Sequence, residues 1–176
     1  MQITDTPLEG LKIVELKVFS DSRGFFMERF NKRVFAEAGL PTEFVQDNHS
    51  KSQPGVLRGV HYQHNRPQGK MVGCISGAIF DVAVDLRCNS KTRGQYFGLE
   101  LTEGSGKMLW VPAGFAHGFC VIGPKEAHVI YKVTEFYNPP GENAILWNDP
   151  ELRIDWPVTE PLLSPKERLI PVACYF

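Results

Sequence analysis

The densest run of side chains able to do chemistry is Gln46-Asp47-Asn48-His49-Ser50, followed by Gly55-Val56-Leu57-Arg58-Gly59-Val60-His61-Tyr62-Gln63 and Gln68-Gly69-Lys70. In an extended segment Gln46, Asn48 and Ser50 point the same way. They form a row of hydrogen-bonding groups suited to a polar ligand inside a barrel, or equally to the wet face of an exposed strand. An imidazole with an ordinary pKa near ~6.5 is neutral at physiological pH, which makes His61 a candidate general base; a structural histidine is the alternative. Lys70 is a candidate for holding a phosphate or stabilising an oxyanion, or is a solvated lysine at a strand end. Arg58 and His61 stand three residues apart, so a regular strand would send them to opposite faces. Both serve one site only if Gly59 marks a bulge.

Other candidates lie further out. Arg23, in Asp21-Ser22-Arg23-Gly24-Phe25-Phe26-Met27-Glu28, has the forked guanidinium that grips phosphate, or is an exposed turn arginine. Tyr131 carries a phenol with an ordinary pKa near ~10, so it stays protonated at neutral pH and is either a proton donor or a barrel aromatic. Phe136-Tyr137 could stack on a base or pack in a core, and Glu142 follows the turn after them. Glu167 closes Ser164-Pro165-Lys166-Glu167, which is also a capping box with a purely structural role.

The elements that position these groups are short. Leu11–Val18, Glu43–Gln46, Val56–Gln63, Met71–Ile75, Ile79–Leu86, Tyr96–Leu101, Met108–Val111, Gly118–Ile122 and His128–Val133 read as strands. In Phe80–Leu86 large apolar residues alternate with Asp and Ala, the period of a strand with one dry face and an acidic face turned elsewhere. Helix is expected at Lys32–Ala38, with Asn31 as cap and Gly39 beyond its end, and in a turn opened by Ser164. No repeat or linker divides the chain, so residues 1–176 read as one all-β domain, a sandwich or barrel with short peripheral helices.

Nineteen basic against twenty acidic residues offer no broad surface for nucleic acid or an anionic membrane. No run approaches the ~18 apolar residues of a membrane span, and Met1-Gln2-Ile3-Thr4-Asp5 lacks the basic stretch followed by an apolar one expected of a leader. Cys74, Cys88, Cys120 and Cys174 lie far apart, as reduced thiols of a cytoplasmic protein would.

Pro112-Ala113-Gly114-Phe115-Ala116-His117-Gly118 resembles the P-x-G-x-x-H element of cupins, a superfamily of small double-stranded β-barrels. Many cupins bind metal, but the carboxylate expected soon after a first histidine pair is missing behind His61 and His64, which argues against a metal site here.

Taken in order, Asp21–Glu28, Phe44–Ser50, Gly55–Gln63, Gly69-Lys70, Asp81-Val82-Ala83-Val84-Asp85-Leu86-Arg87, Pro112–Phe119 and Trp147-Asn148-Asp149-Pro150 resemble the dTDP-4-dehydrorhamnose 3,5-epimerase family over nearly the whole chain. The resemblance implies a cupin-type jelly roll, usually a homodimer with exchanged N-terminal strands, working without metal or organic cofactor. Its expected substrate is a dTDP-4-keto-6-deoxyhexose, inverted at C3 and C5 to the L-rhamnose configuration. It implies His61 as base, Tyr131 as acid and Lys70 beside the carbonyl oxygen. Arg23, Glu28, Gln46, Asn48, Arg58, His117 and Glu142 would then bind the nucleotide sugar. The family's aspartate paired with the catalytic histidine is replaced here by Glu167. Relatives that invert only C3 or only C5 share these motifs; a metal-dependent cupin and a non-catalytic sugar-binding cupin are the readings from other classes.

Overall fold

A computed structural model describes residues 1–168. Its strands are β1 (Gln2–Asp5), β2 (Lys12–Glu15), β3 (Val18–Asp21), β4 (Gly24–Met27), β5 (Gln46–Ser52), β6 (Leu57–Gln63), β7 (Lys70–Ser76), β8 (Ala78–Asp85), β9 (Tyr96–Thr102), β10 (Lys107–Val111), β11 (Phe115–Val121), β12 (Ala127–Val133) and β13 (Glu142–Ala144). The helices are α1 (Lys32–Glu37) and α2 (Pro165–Arg168). A six-stranded sheet in the order β1-β2-β10-β7-β12-β5 faces a five-stranded sheet in the order β13-β6-β11-β8-β9, and β3 and β4 form a two-stranded sheet of their own among the described residues. This is the jelly roll expected of an all-β, cupin-type chain.

Three apolar clusters follow from the two-residue period. Val72, Ala83, Leu101, Leu109, Phe115 and Val129 fill the space between the sheets. Val60, Val82, Val84, Ala116 and Cys120 form the outer face of the five-stranded sheet, covered by Ile145, Leu152 and Trp156 of the C-terminal segment. Met71, Met108 and Trp110 form the outer face of the other sheet, covered by Phe35 and Leu40 in and just after α1. Both faces of β8 are therefore buried, and its acidic face does not look to solvent: Asp81 and Asp85 are both fully buried. Asp85 is held by Arg87, Ser90 and Thr92, whose hydrogen bonds outweigh burial and keep its carboxyl far below the usual range.

The run Leu11–Val18 is two strands, because the chain leaves the barrel after Glu15 to make the β3–β4 hairpin. The strand expected at Glu43–Gln46 lies instead at Gln46–Ser52, where polar residues on both faces hid it. Strands β1, β4 and β13 also have too few residues for a period to show. Asn31 caps α1 as expected, its Oδ1 accepting from the N–H groups of Arg33 at 3.1 Å and Val34 at 3.3 Å. Cys74, Cys88 and Cys120 are free thiols, and Cys174 falls outside the described residues.

Candidate active site

One end of the barrel interior is polar, because the inward positions of several strands carry hydrogen-bonding groups there. An open cleft of about 260 Å³ is walled by Gln46 and Asn48 of β5, His61 and Gln63 of β6, Lys70 of β7 and Tyr131 of β12. Tyr62, Gln68, Tyr137 and Glu142 complete it. The inward row on β5 is internally tied, with Gln46 Nε2 donating to Asn48 Oδ1 at 2.8 Å. Ser50, next in that row, has a buried hydroxyl with no hydrogen-bond partner among the described residues.

The bulge that Arg58 and His61 require is present. His117 of β11 pairs with His61 while Phe119 pairs with Arg58, so β6 fits one extra residue between them. Gly59 occupies it at φ 138°, and a Cβ there would stand 2.5 Å from Gly118 Cα, so glycine alone fits. Past the bulge Arg58 reaches β5, where its Nε donates to Ser52 Oγ at 2.8 Å, but it is exposed and is not among the residues that wall the cleft.

His61 and Tyr131 come from facing sheets, β6 and β12, and look into the same cleft from opposite walls. Burial lowers the His61 pKa, Lys70 lowers it further, and Glu167 and Glu142 act the other way, so the neutral imidazole is favoured. Burial likewise raises the pKa of the Tyr131 phenol, with Arg58 partly opposing, which keeps the proton on it. Lys70 drops to about 8, chiefly through burial, with Asp81 and Glu142 opposing. At neutral pH it remains predominantly a cation in a low-dielectric site.

Glu167 is both a helix cap and a neighbour of His61. Its Oε2 accepts the Ser164 N–H at 2.8 Å and its own N–H donates to Ser164 Oγ at 3.3 Å, the reciprocal capping box. Its Oε1 accepts the Gly59 N–H at 3.1 Å and stands 3.7 Å from His61 Nε2. At the cleft mouth Glu142 accepts from Tyr137 Oη at 2.8 Å and forms an ion pair with Lys166 of α2. Burial pushes the Glu142 pKa up, but the hydrogen bonds from Lys166 and Tyr137 outweigh it and the carboxyl sits below its ordinary value.

The other residues singled out in the sequence lie elsewhere. His117 is buried behind the cleft rather than lining it, with its Nε2 2.8 Å from Asp81 Oδ1. Arg23 is on the β3–β4 hairpin, 88 % exposed at its side chain and paired with Asp21 at 2.6 Å. Glu28 is exposed just after that hairpin. Neither lines the cleft of its own chain, since the hairpin departs from the barrel. The role of Lys166 at the cleft mouth was not legible in the sequence, because the capping box explains Ser164-x-x-Glu167 without it. Asp81 was missed because an aspartate alternating with valines reads as the wet face of a strand. Among the described residues no three His, Cys, Asp or Glu side chains converge in a group that would hold a metal.

The sequence model of the dTDP-4-dehydrorhamnose 3,5-epimerase family matches residues 5–173. The chain is similar to the dTDP-4-dehydrorhamnose 3,5-epimerase of Shigella flexneri, 52 % identical over 169 residues, 95 % of this chain and 93 % of the relative. A crystal structure of dTDP-6-deoxy-D-glucose-3,5-epimerase from Legionella pneumophila Philadelphia 1, in complex with dTDP-4-keto-L-rhamnose, superposes with a TM-score of 0.91. It is 46 % identical, covering 96 % of this chain and 90 % of that one. A dTDP-4-dehydrorhamnose 3-epimerase of Streptomyces niveus is 39 % identical over 170 residues, 96 % of this chain and 82 % of the relative. A matching family model over nearly the whole length, close relatives and a shared barrel together place the chain in the dTDP-4-dehydrorhamnose 3,5-epimerase family.

Proposed function

We propose that this chain, acting as one catalytic domain, inverts C3 and C5 of dTDP-4-dehydro-6-deoxy-D-glucose, giving dTDP-4-dehydro-L-rhamnose. The observation that carries the reading is the opposition of His61 and Tyr131 across one cleft. Inversion needs a proton taken from one face of the sugar ring and returned to the other, and a base and an acid on facing sheets supply that directly. The C4 carbonyl acidifies the protons on both neighbouring carbons. Neutral His61 removes one, the charge passes to the carbonyl oxygen as an enolate, and Tyr131 returns a proton from the opposite side. Imidazole is too weak a base to form a free enolate, so the oxyanion needs a donor. Lys70 provides it, and one such preorganised group contributes about 3–4 kcal/mol. Because C4 lies between C3 and C5, the same cation serves both inversions, and neither step needs a metal or an organic cofactor.

Gln46, Asn48, Arg58 and Glu142 are the groups of this chain for the nucleotide sugar, and Tyr137 offers an aromatic face at the mouth. Buried His117 acts on the substrate through Asp81 and Lys70 in this reading. Arg23 and Glu28 reach the cleft of a second copy. The hairpin that carries them exposes Phe19, Phe25 and Phe26 at 51 %, 51 % and 67 %, a surface that a homodimer would cover. A cytoplasmic enzyme fits this substrate, and no helix among the described residues is long and apolar enough to cross a membrane.

The test is incubation with dTDP-4-dehydro-6-deoxy-D-glucose in deuterated water, following label at C3 and C5, with His61→Asn as control. Label at both carbons, lost in the control and accompanied by the L-lyxo product, is the expected result. Label at one carbon would reassign the chain to single-site epimerisation, and label at neither would remove the reaction altogether.

A further inference from the structure

On the outer face of the six-stranded sheet, away from the cleft, two imidazoles meet. His49 of β5 and His128 of β12 are diagonal neighbours, since His49 pairs with Ile130 and His128 with Lys51. Their nitrogens converge, His49 Nε2 lying 2.9 Å from His128 Nδ1, with ring centroids 5.1 Å apart. The far nitrogen of His128, Nε2, stands 3.7 Å from Glu126 Oε1. Lys51 also reaches that carboxylate, at 2.8 Å.

We propose that His49 and His128 form a two-imidazole binding site for a borderline divalent ion such as Zn²⁺, with water completing its coordination. Imidazole nitrogen suits this class of ion, and a tetrahedral ion about 2.0–2.1 Å from each nitrogen holds the two about 3.3 Å apart. The exposed His49 ring and the half-buried His128 ring need to part by only a few tenths of an ångström from where they stand.

The proton balance favours the same outcome. The negative charge of Glu126 beside His128 Nε2 favours the tautomer with the proton on that nitrogen, so the Nδ1 lone pair faces His49 and His49 Nε2–H donates to it. Taking up the ion then requires one change: the His49 proton moves from Nε2 to Nδ1. Both imidazoles stay neutral and no net proton is released. The carboxylate behind His128 is the arrangement that orients metal-bound histidines.

The ion would clip β5 to β12 from behind, and these strands carry Asn48 and Tyr131, paired with each other, on the inner face. Because only two protein ligands are present, the site is an exchangeable one rather than a structural metal centre.

Calorimetric titration of the intact protein with zinc chloride at pH 7.5 tests this. One equivalent should bind to the wild type. Affinity should fall at least about tenfold in His49→Gln and in His128→Gln, and about tenfold in Glu126→Gln, within the usual range for losing an orienting partner. Circular dichroism without metal should show all three variants folded, and they should retain metal-free activity. In a proton–nitrogen spectrum the His49 and His128 ring signals should move on adding zinc while those of His61 stay. Absence of binding, or binding unchanged in both histidine variants, would overturn the proposal.

Discussion

The Glu167 carboxylate stands 3.7 Å from His61 Nε2 while its same oxygen, Oε1, holds the N–H of Gly59 at 3.1 Å, the residue that bulges His61 into the cleft. One side chain thus caps α2, pins the bulge and faces the candidate base. Glu167→Gln keeps the shape but removes the charge. Since Glu167 raises the His61 pKa against burial, the acid limb of the kcat/KM profile should shift to lower pH and kcat should fall. Glu167→Ala should in addition lose about 1–3 kcal/mol, from the lost cap and the unsatisfied Gly59 N–H. A pH profile of each variant alongside its urea midpoint separates the two effects.

His61→Asn and Tyr131→Phe should both fold with near-native melting temperatures, because among the described residues neither side chain makes a hydrogen bond, and phenylalanine keeps the ring that packs against the central apolar cluster. Turnover should drop by about 10²–10⁴ in each, the usual contribution of a positioned acid or base. Solvent exchange should divide them: His61→Asn loses proton removal altogether, whereas Tyr131→Phe retains removal and loses return on the opposite face. Unfolding of either variant would contradict a purely catalytic role.

Lys70 gives the activity an alkaline limb and carries a cost in stability. With its pKa at about 8 the ammonium is lost above that pH, so turnover should decline there, and Lys70→Arg should move that limb upward. The lowered value also fixes the sign of the stability effect. Below about 8 the lysine is charged in both folded and unfolded chains and the folded state bears the full burial penalty; as pH rises towards the ordinary 10.5 the penalty fades. Lys70→Met should therefore raise stability at pH 7, by at most about 3 kcal/mol and less where water reaches the ammonium. It should cost about 10²–10³ in kcat. Thermal melts and initial rates on one preparation check both.

Gly59→Ala should destabilise the chain by at least about 2–3 kcal/mol, since the backbone there has φ 138° and the added methyl would meet Gly118 Cα at 2.5 Å. Activity should be lost well before unfolding, because relief of the clash displaces His61. Chemical denaturation together with rates at low denaturant shows the order.

Paired substitution Phe25→Ser and Phe26→Ser should leave the barrel folded and, in the proposed homodimer, convert dimer to monomer by sedimentation equilibrium, because both rings are exposed and lie outside all three apolar clusters. Turnover should fall as the dimer is lost, since Arg23 and Glu28 line no cleft of their own chain. A monomeric wild type would end the exchanged-hairpin reading.

The amino-acid sequence by itself determined the all-β class, the helix at Lys32 with its Asn31 cap, the shared face of Gln46 and Asn48, and the bulge at Gly59 that Arg58 and His61 need if both serve one site. Those features follow from periods of two or 3.6 residues and from the backbone freedom of glycine, which are local. Arg58, Gly59 and His61 were enough to pose the bulge because a strand has only two faces. Only the tertiary structure decided which face was the inside. The acidic side of β8 reads as wet, yet the opposite sheet closes over it and makes Asp81 the buried partner of His117. Nor does local spacing indicate that Glu167 would reach His61, or that Tyr131 would face it from the other sheet. Each of these pairs is brought together by strand order, which is set when two sheets bury a shared apolar face, and no short window of sequence records it.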